Sequence, residues 1–393
     1  MTSTHHWQPG TVREAGGGIV ALALATFVAI TTELVPVGLL PQMSDDLAVT
    51  ESVAGLLVTI YAVMVAALAV PLVLVTRRLP RKGLLLGTLV AYTLSNALVA
   101  VAPSFGVVAG ARALGGIAHA IFFSVAIGYA SRLVSPQFTG RALALVTAGA
   151  SAGFVLGVPL STALGAAVGW RTAFAVLGGA CAVAVVLVTI FLPAVAGGGA
   201  PVADEARGTN RARLAVVSTT NSLTYLGQYT VYTYIAVLLI GAGLGEVAVG
   251  PVLLGLGALG LVGTAYAVTA LDTHPRRSTI LVLSVVVVGL LALGLLFPSL
   301  PGVLVAAAVW SAGFGAVASV FQTAAIRTRG ASPDVVGALV NSTANIGIGG
   351  GAALGALVLA GAGLEWLPYL GAAIIAIGLV AVLVSRRAFP ALP

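Results

Sequence analysis

The stretch GIVALALATFVAITTELVPVGLL, residues 18–40, decides the fold class of this chain. A helix needs about 20 mainly apolar residues to cross the hydrocarbon core of a bilayer. This stretch meets that length with one charged residue, Glu33. It is too long for the apolar region of a cleaved signal peptide, which also would not carry a charge. We therefore interpret it as an uncleaved membrane span.

The composition of the whole chain agrees with a membrane protein. Of its 393 residues, 59% are hydrophobic and 7% are charged, whereas a soluble domain has about 25% charged residues. Too few charges remain to cover a soluble surface, and the high hydrophobicity excludes intrinsic disorder.

Charge and cysteine content exclude further classes. The net charge is +7, but the basic residues form short clusters between apolar runs instead of a stripe on a folded face, so we expect no nucleic-acid partner. The single cysteine, Cys181, excludes an intrachain disulfide and a cysteine-based metal site. We expect neither a metal nor a cofactor.

Apolar runs of membrane-spanning length predict an all-α membrane protein with twelve transmembrane helices. We number these runs as spans 1 to 12 in chain order. They cover residues 17–40, 52–75, 83–101, 105–130, 142–166, 172–192, 214–240, 248–270, 279–297, 303–326, 336–362 and 369–385.

The positions of the basic residues predict the orientation. Because the number of spans is even, both termini lie on one side of the membrane. Sixteen of the eighteen Lys and Arg residues fall in the tails and loops on that side, Arg171 lies on the other side, and Arg112 lies inside span 4. Cytoplasmic loops carry an excess of Lys and Arg, so both termini are predicted to be cytoplasmic.

Three short fragments recur along the chain 194 to 197 residues later. This agreement indicates two related six-helix halves. The predicted organisation is a cytoplasmic tail over 1–16, a first bundle over 17–192, a cytoplasmic linker over 193–213, a second bundle over 214–385 and a cytoplasmic tail over 386–393. The recurring fragments are Arg132-Leu-Val-Ser-Pro with Arg329-Gly-Ala-Ser-Pro, Pro80-Arg-Lys with Pro275-Arg-Arg, and Gly153-x-x-x-Gly with Gly347-x-x-x-Gly.

Three ionisable residues lie well inside the predicted spans: Glu33 in span 1, and Arg112 and His119 in span 4. A charge at mid-helix costs about 2.5–3.5 kcal/mol on insertion scales, so such residues are expected to face a cavity or a partner. Glu33 and Arg112 have matching depths in the outer half of the membrane, and His119 lies two turns from Arg112 on the same helix face.

These three residues are candidates for proton coupling, with Glu33 as the proton carrier. Burial favours the neutral form of a carboxyl and a nearby arginine favours the charged form, so movement of the arginine or entry of water can switch the group. The alternative is structural: Arg112 bonds backbone carbonyls of span 1 with Glu33 as its partner, and His119 is an interhelical donor.

Span 7 contains a polar and aromatic stripe. Tyr225, Gln228, Tyr229 and Tyr232 follow i, i+3, i+4, i+7, which places them on one helix face. Tyrosine combines a flat apolar ring with a hydroxyl, which suits amphipathic ligands such as sugars and nucleosides. The alternatives are a packing stripe and an interfacial aromatic belt.

Six more residues are candidates for lining a substrate cavity. Packing is the alternative for the tryptophan and the two phenylalanines among them. The candidates are Phe122 and Phe123 in span 4, Trp310 and Gln322 in span 10, and Asn341 and Asn345 in span 11.

Span 5 contains glycines at intervals of four residues followed by a proline. Gly149, Gly153 and Gly157 line one face and allow a second backbone to approach closely. Pro159 lacks a backbone N–H and can kink the helix. The pattern predicts a packing surface, or a hinge or sliding surface between conformational states.

Six stretches of the sequence together carry a family resemblance. They are TTELVPVGLL (31–40), TIYA (59–62), Arg112 with HAIFFS (119–124), LGVPL (156–160) followed by GWR (169–171), YTVYTYI (229–235) and NIGIG (345–349). With these stretches the sequence resembles the major facilitator superfamily over nearly its whole length. Within that superfamily it is most similar to the twelve-span drug:proton antiporter group and its bacterial sugar-efflux transporters, and arabinose, purine-nucleoside and chloramphenicol exporters are also similar.

The resemblance implies two six-helix bundles around a central cavity, alternating access and export. It implies that Arg112 is the motif arginine of span 4 and that the glycine–proline run of span 5 is the antiporter motif. It also implies a latch between the bundles in the loops after spans 2 and 8. Thr76 occupies the position of the usual loop acid in the first half, and the other latch candidates are Arg77, Arg81, Asp272 and Arg276.

The sequence therefore predicts a proton-coupled exporter of small amphipathic solutes, with sugars or sugar-like compounds first, in a bacterial cytoplasmic membrane. Expected partners are a small-molecule substrate, protons as the coupling ion and the lipid bilayer, and we expect a monomer. The main alternative is a multidrug or chloramphenicol-type drug:proton antiporter, and a proton-coupled importer is a further one. An intramembrane enzyme is a remote alternative, because it needs a paired nucleophile and base at one depth and the sequence offers no such pair. A non-transporting receptor or scaffold would need larger soluble parts.

Overall fold

The structure is a computed structural model that describes residues 11–76, 78–194, 208–271, 273–331 and 333–390. Within those ranges, eleven helices are long and apolar enough to cross a membrane, and a bent helix pair makes the twelfth span. The predicted all-α fold with twelve spans is confirmed. The helices are α1 Gly16–Asp46, α2 Glu51–Thr76, α3 Arg81–Ala100, α4 Phe105–Leu133, α5 Thr139–Ala152, α6 Val158–Val168, α7 Trp170–Phe191, α8 Gly208–Tyr232, α9 Ile235–Gly241, α10 Glu246–Ala270, α11 Pro275–Leu296, α12 Leu300–Phe314, α13 Val317–Arg327, α14 Pro333–Gly361 and α15 Leu367–Val384.

Three of the spans are interrupted. Span 5 consists of α5, a π-helical turn over Gly153–Gly157, and α6. Pro159 lacks an N–H, so the carbonyl of Val155 has no helical donor, and a local π turn accommodates the missing bond. Span 7 bends by 41° between α8 and α9. Span 10 breaks between α12 and α13 beside α10, where Thr264 Oγ1 donates to Gly315 O at 2.9 Å.

The glycines of span 5 form its contact with α1. A methyl group on Gly149 would collide with Ala23 O and Thr26 Oγ1, and one on Gly153 would lie 2.8 Å from Phe27 O. Thr26 Oγ1 also donates to Val146 O at 2.7 Å, across the same contact. The two backbones are therefore as close as glycine allows, and Gly157 continues the contact at Thr31.

The chain segments before and after residues 195–207 meet on the predicted outer side. α2 packs along α14, α6 along α10, and α1 against α9. Tyr234 fits over Gly55, and its hydroxyl donates to Ala352 O at 2.9 Å. An apolar cluster drawn from five helices fills this side: Leu40, Ala54, Tyr234, Val237, Ala356 and Leu367. The division into bundles at a linker over 193–213 stays a prediction, because 195–207 lie outside the described residues.

Charged residues in the terminal turns of helices join neighbouring helix ends. Arg171 forms an ion pair with Asp46 and lies 4.3 Å from the ring centre of Trp170. On the predicted cytoplasmic side, Arg276 donates to Leu383 O at 2.7 Å. Arg81 begins α3 and is partly exposed.

The latch between bundles remains a prediction. Two of its candidate residues, Arg77 and Asp272, lie outside the part of the chain that the structure describes.

The glycine contact predicts a position-specific cost. Gly149→Ala should destabilise the protein by about 1–3 kcal/mol, because the added methyl overpacks α1. Thermal unfolding in detergent measures the effect. Gly179→Ala on α7 is the matched control, because a methyl there meets nothing within 4 Å. Equal melting temperatures for the two variants would contradict the close contact.

Candidate functional site

Arg112 is almost completely buried, with 1% of its surface exposed, and backbone carbonyls hold its charge. Pro36 lacks an N–H, so the carbonyl of Thr32 four residues earlier has no helical donor. Arg112 Nη1 donates to that carbonyl. Nη2 donates to Glu33 O at 2.6 Å and Nε to Leu57 O at 3.4 Å. The guanidinium therefore joins α4 to α1 and α2 through main-chain acceptors, which satisfy a buried charge without an ion pair.

Glu33 is buried beside Arg112, but its carboxyl group contacts a different residue. Glu33 Oε2 lies 3.6 Å from His119 Nε2, whereas Oε1 has no hydrogen-bond partner. Within the described residues, no ion pair joins the side chains of Glu33 and Arg112. The two residues lie at matching depth, as predicted. The direct hydrogen bond between them joins Arg112 Nη2 to the backbone carbonyl oxygen of Glu33 and does not involve the carboxyl group.

His119 is enclosed by aromatic rings. Its Nδ1 lies 2.9 Å from Tyr61 Oη, and the Tyr61 ring also lies 4.3 Å from the Arg112 guanidinium carbon. Tyr92 and Phe123 place their ring centres 6.3 and 5.0 Å from that of His119. Tyr61 and Pro36 are site residues that the sequence analysis missed. Pro36 could have been found, because its missing N–H points to the Thr32 carbonyl.

The predicted stripe on span 7 forms a continuous aromatic wall. Tyr225 stacks on Tyr229 with ring centres 6.3 Å apart, and it meets Phe314 edge to face at 5.6 Å. Tyr232 meets Trp310 edge to face at 6.2 Å. Tyr225 and Tyr232 are partly exposed, whereas Tyr229 is buried.

Gln228 has a fixed amide orientation within this wall. Trp310 Nε1 donates to Gln228 Oε1 at 2.6 Å. An indole nitrogen can only donate, so the amide oxygen must face it. The amide nitrogen then points elsewhere as a donor.

The remaining cavity candidates fall into two groups. Phe123, Gln322 and Asn341 are partly exposed, and Phe123 packs against two apolar clusters, one within the first chain segment and one that contains residues of both segments. Phe122 is fully buried and meets Tyr92 and Phe123. Trp310 and Asn345 are also buried, and Asn345 Nδ2 donates to Asn341 O at 3.1 Å.

Span 7 lies within electrostatic reach of the Glu33 site. Tyr225 and Tyr229 are near enough to interact with a charge on the Glu33 carboxyl, and Leu34, the neighbour of Glu33 in the chain, belongs to the same apolar cluster as Tyr229. A charge on the ionisable group of α1 can therefore act on the aromatic wall of the second chain segment. Within the described residues, no group of three or more His, Cys, Asp and Glu side chains could hold a metal ion.

Residues 22–338 match the sequence pattern of the Major Facilitator Superfamily. The chain belongs to this superfamily. Its members are multi-pass transporters that carry small-molecule substrates across a lipid bilayer, so the protein is a transporter and not an enzyme.

Two relatives cover nearly the whole chain. A chloramphenicol efflux pump of Mycobacterium tuberculosis is 32% identical over 368 residues, which is 91% of this chain and 88% of that pump. A probable sugar efflux transporter of Mannheimia succiniciproducens is 29% identical over 367 residues, 92% of each chain.

Solved structures agree on the fold. A bacterial homolog of the human lysosomal transporter Spinster, in an inward-facing and occupied conformation, has a TM-score of 0.77 at 13% identity and covers 97% of this chain and 98% of its own. A D-xylose–proton symporter has a TM-score of 0.73 at 14% identity, with coverage of 96% and 98%. At these identities the likeness shows the major facilitator fold alone.

The carbonyl contacts predict a specific role for the guanidinium. Arg112→Lys should lower stability by about 2–4 kcal/mol, because one ammonium group cannot reach all the acceptors and leaves buried carbonyls unpaired. Thermal unfolding in detergent measures the loss. Arg141→Lys at an exposed position of α5 is the control. A melting temperature for Arg112→Lys equal to that of the control would refute the anchoring role.

Proposed function

We propose that this transporter is a proton-coupled exporter of small amphipathic solutes that works by alternating access, with Glu33 as the proton carrier. The observation that carries the proposal is the position of Glu33. Its carboxyl group is buried, one of its oxygens lacks a hydrogen-bond partner, and it lies within electrostatic reach of the aromatic wall of the second chain segment. A protonation change on Glu33 can therefore act on the surface that contacts the substrate.

In the proposed cycle, Glu33 takes a proton from outside after the substrate has left. The neutral carboxyl removes a charge from the site, and the closed carrier turns inward. Loss of the proton to the cytoplasm, favoured by the nearby Arg112 charge, restores the carboxylate and allows the next substrate to bind. The protein needs no cofactor for this cycle.

One proton provides enough free energy for useful export. A driving force near 150 mV corresponds to roughly 3.5 kcal/mol per proton. At about 1.4 kcal/mol per factor of ten, this sustains a gradient of a few hundredfold.

Partly exposed aromatic and amide side chains of both chain segments suit neutral substrates that combine a flat apolar face with hydroxyl groups. Phe123, Tyr225, Tyr232 and Phe314 provide rings, and Asn341 provides an amide. Stacking and a few placed polar groups are the usual means of binding such molecules. Sugars or sugar-like compounds are the first candidate class, and the probable sugar efflux transporter supports it.

A chloramphenicol-type drug exporter is the second candidate. It is favoured by the share of aromatic rings in the wall and by the 32% identity to a chloramphenicol efflux pump. For either candidate we propose a monomer in a bacterial cytoplasmic membrane, and the bacterial relatives support that location.

The proton-carrier role predicts a separation of coupling from binding. In proteoliposomes, Glu33→Gln should abolish transport driven by a pH gradient while substrate binding persists, because glutamine resembles the neutral carboxyl and cannot titrate. Exposed Glu365→Gln is the matched control and should transport like the wild type. Unchanged pH-driven transport by Glu33→Gln would refute the role of Glu33.

The aromatic wall predicts which residues set affinity. Tyr232→Ala should weaken binding about 5- to 30-fold, since a lost ring contact is worth about 1–2 kcal/mol. Thermal shifts of the purified protein with arabinose, a purine nucleoside and chloramphenicol measure binding and distinguish the two substrate classes. Trp366→Ala, an exposed aromatic residue outside the wall, should bind normally. Equal affinities of the two variants for every bound ligand would contradict the assignment.

A further inference from the structure

Tyr61 of α2 lies at the proton site but contacts a residue other than the proposed carrier. The side chain is fully buried, and its Oη lies 2.9 Å from His119 Nδ1. A buried tyrosine hydroxyl usually has a hydrogen-bond partner, and here that partner is an ionisable ring on the neighbouring helix. The contact fixes the orientation of the imidazole, which is edge-on to the Tyr61 ring with centres 5.5 Å apart.

The orientation of His119 determines what Glu33 faces. With Nδ1 turned to Tyr61, Nε2 lies 3.6 Å from Glu33 Oε2. When the tyrosine hydroxyl donates to Nδ1, the proton of a neutral imidazole is on Nε2 and points at the carboxylate. A separation of 3.6 Å is slightly long for a hydrogen bond, and a small rotation of either side chain closes it.

The two oxygens of Glu33 are therefore not equivalent. Oε2 faces His119 Nε2, whereas Oε1 is buried and has no partner. We propose that Tyr61 is a positioning residue for proton coupling: acting through His119, it tethers Glu33 Oε2 and leaves Oε1 as the atom that takes the transported proton. This inference rests on the proposed function of Glu33. In the step itself, a hydronium ion gives its proton to a lone pair of Oε1 and is left as water, the carboxylate becomes neutral, and His119 and Tyr61 keep their own protons.

No other group described around Glu33 and His119 is assigned the positioning of the His119 ring. Among the described residues around the pair, Arg112 is the one permanent charge, and each of its three nitrogens donates to a backbone carbonyl. The remaining neighbours are uncharged rings and a thiol, drawn from three more helices. They are Tyr92 of α3, Cys181 of α7 behind Asn96, and Tyr225 and Tyr229 of α8.

The test follows protonation of Glu33 directly and needs no substrate. Infrared spectra of the full-length protein in lipid vesicles are recorded as a function of pH, and the protonated-carboxyl band that Glu33→Gln removes is assigned to Glu33. Tyr61→Phe should move the midpoint of this band upward by about one pH unit, a tenfold change in proton affinity. The sign follows because loss of the tether removes a donor that stabilises the charged carboxylate. Tyr266→Phe on α10 is the matched control and should leave the midpoint unchanged.

Variants of His119 distinguish a hydrogen-bonded tether between Tyr61, His119 and Glu33 from simple packing of the Tyr61 ring. His119→Leu should shift the midpoint as Tyr61→Phe does, and His119→Gln should shift it less, because its amide still donates. Combining Tyr61→Phe with His119→Leu should add no further shift, since both changes break one chain of contacts. An unchanged midpoint in Tyr61→Phe, or additive shifts in the double variant, would overturn the proposal.

The outcomes also separate this proposal from the proposed function. If Glu33→Gln keeps pH-driven transport, the coupling role fails, whereas the infrared shifts still report the tether. If Glu33→Gln loses coupling and Tyr61→Phe has a normal midpoint, the tether alone fails. Should Tyr61→Phe not accumulate in the membrane, the two His119 variants decide, and equal shifts for leucine and glutamine would overturn the tether.

Discussion

The structure depends on one interaction, the burial of the Arg112 guanidinium against main-chain carbonyls of α1 and α2. A charge inside a membrane is tolerated only where its donors are satisfied. Pro36 creates an acceptor by leaving Thr32 O without its helical donor, and Arg112 binds it. Because the further contacts run to Glu33 O and Leu57 O, this single side chain sets the depth and rotation of three helices relative to one another.

The helix that Arg112 anchors, α1, also contacts His119, span 5 and the apolar cluster on the predicted outer side. On one face it presents Glu33 to His119, and on another it meets the glycines of span 5 at backbone distance. Its outer end places Leu40 in the apolar cluster shared with Tyr234. The same helix therefore holds the ionisable group and takes part in closing the predicted outer side. A glycine contact also has few side chains to rearrange, so α1 and span 5 meet through their backbones.

Some of this could be predicted from the sequence, and some could not. Hydropathy predicts all twelve spans, because the bilayer imposes one length on every apolar run. The shared depth of Glu33 and Arg112 follows from counting residues along two spans. The atoms that Arg112 binds are backbone carbonyls, which residue types do not reveal, although Pro36 marks one of them.

Side-chain direction was harder to predict than depth. Phe122 and Phe123 are adjacent on a helix that is apolar on all sides, so no periodicity distinguishes the buried ring from the partly exposed one. The breaks in spans 7 and 10 arise where helices from distant parts of the sequence meet, such as Gly315 against Gly260. The sequence around each break therefore does not predict its position.

The choice of carbonyls over a carboxylate as the anchor for Arg112 has an energetic consequence for coupling. If the guanidinium were paired with the Glu33 carboxylate, each protonation would leave an uncompensated buried charge, and breaking such a pair costs about 3–5 kcal/mol. That is as large as the roughly 3.5 kcal/mol that one proton supplies at 150 mV. With Arg112 held by acceptors that do not titrate, the carboxyl can gain and lose its proton without unpairing the arginine. In the proposed cycle, protonation of Glu33 therefore does not carry the additional cost of unpairing a buried arginine.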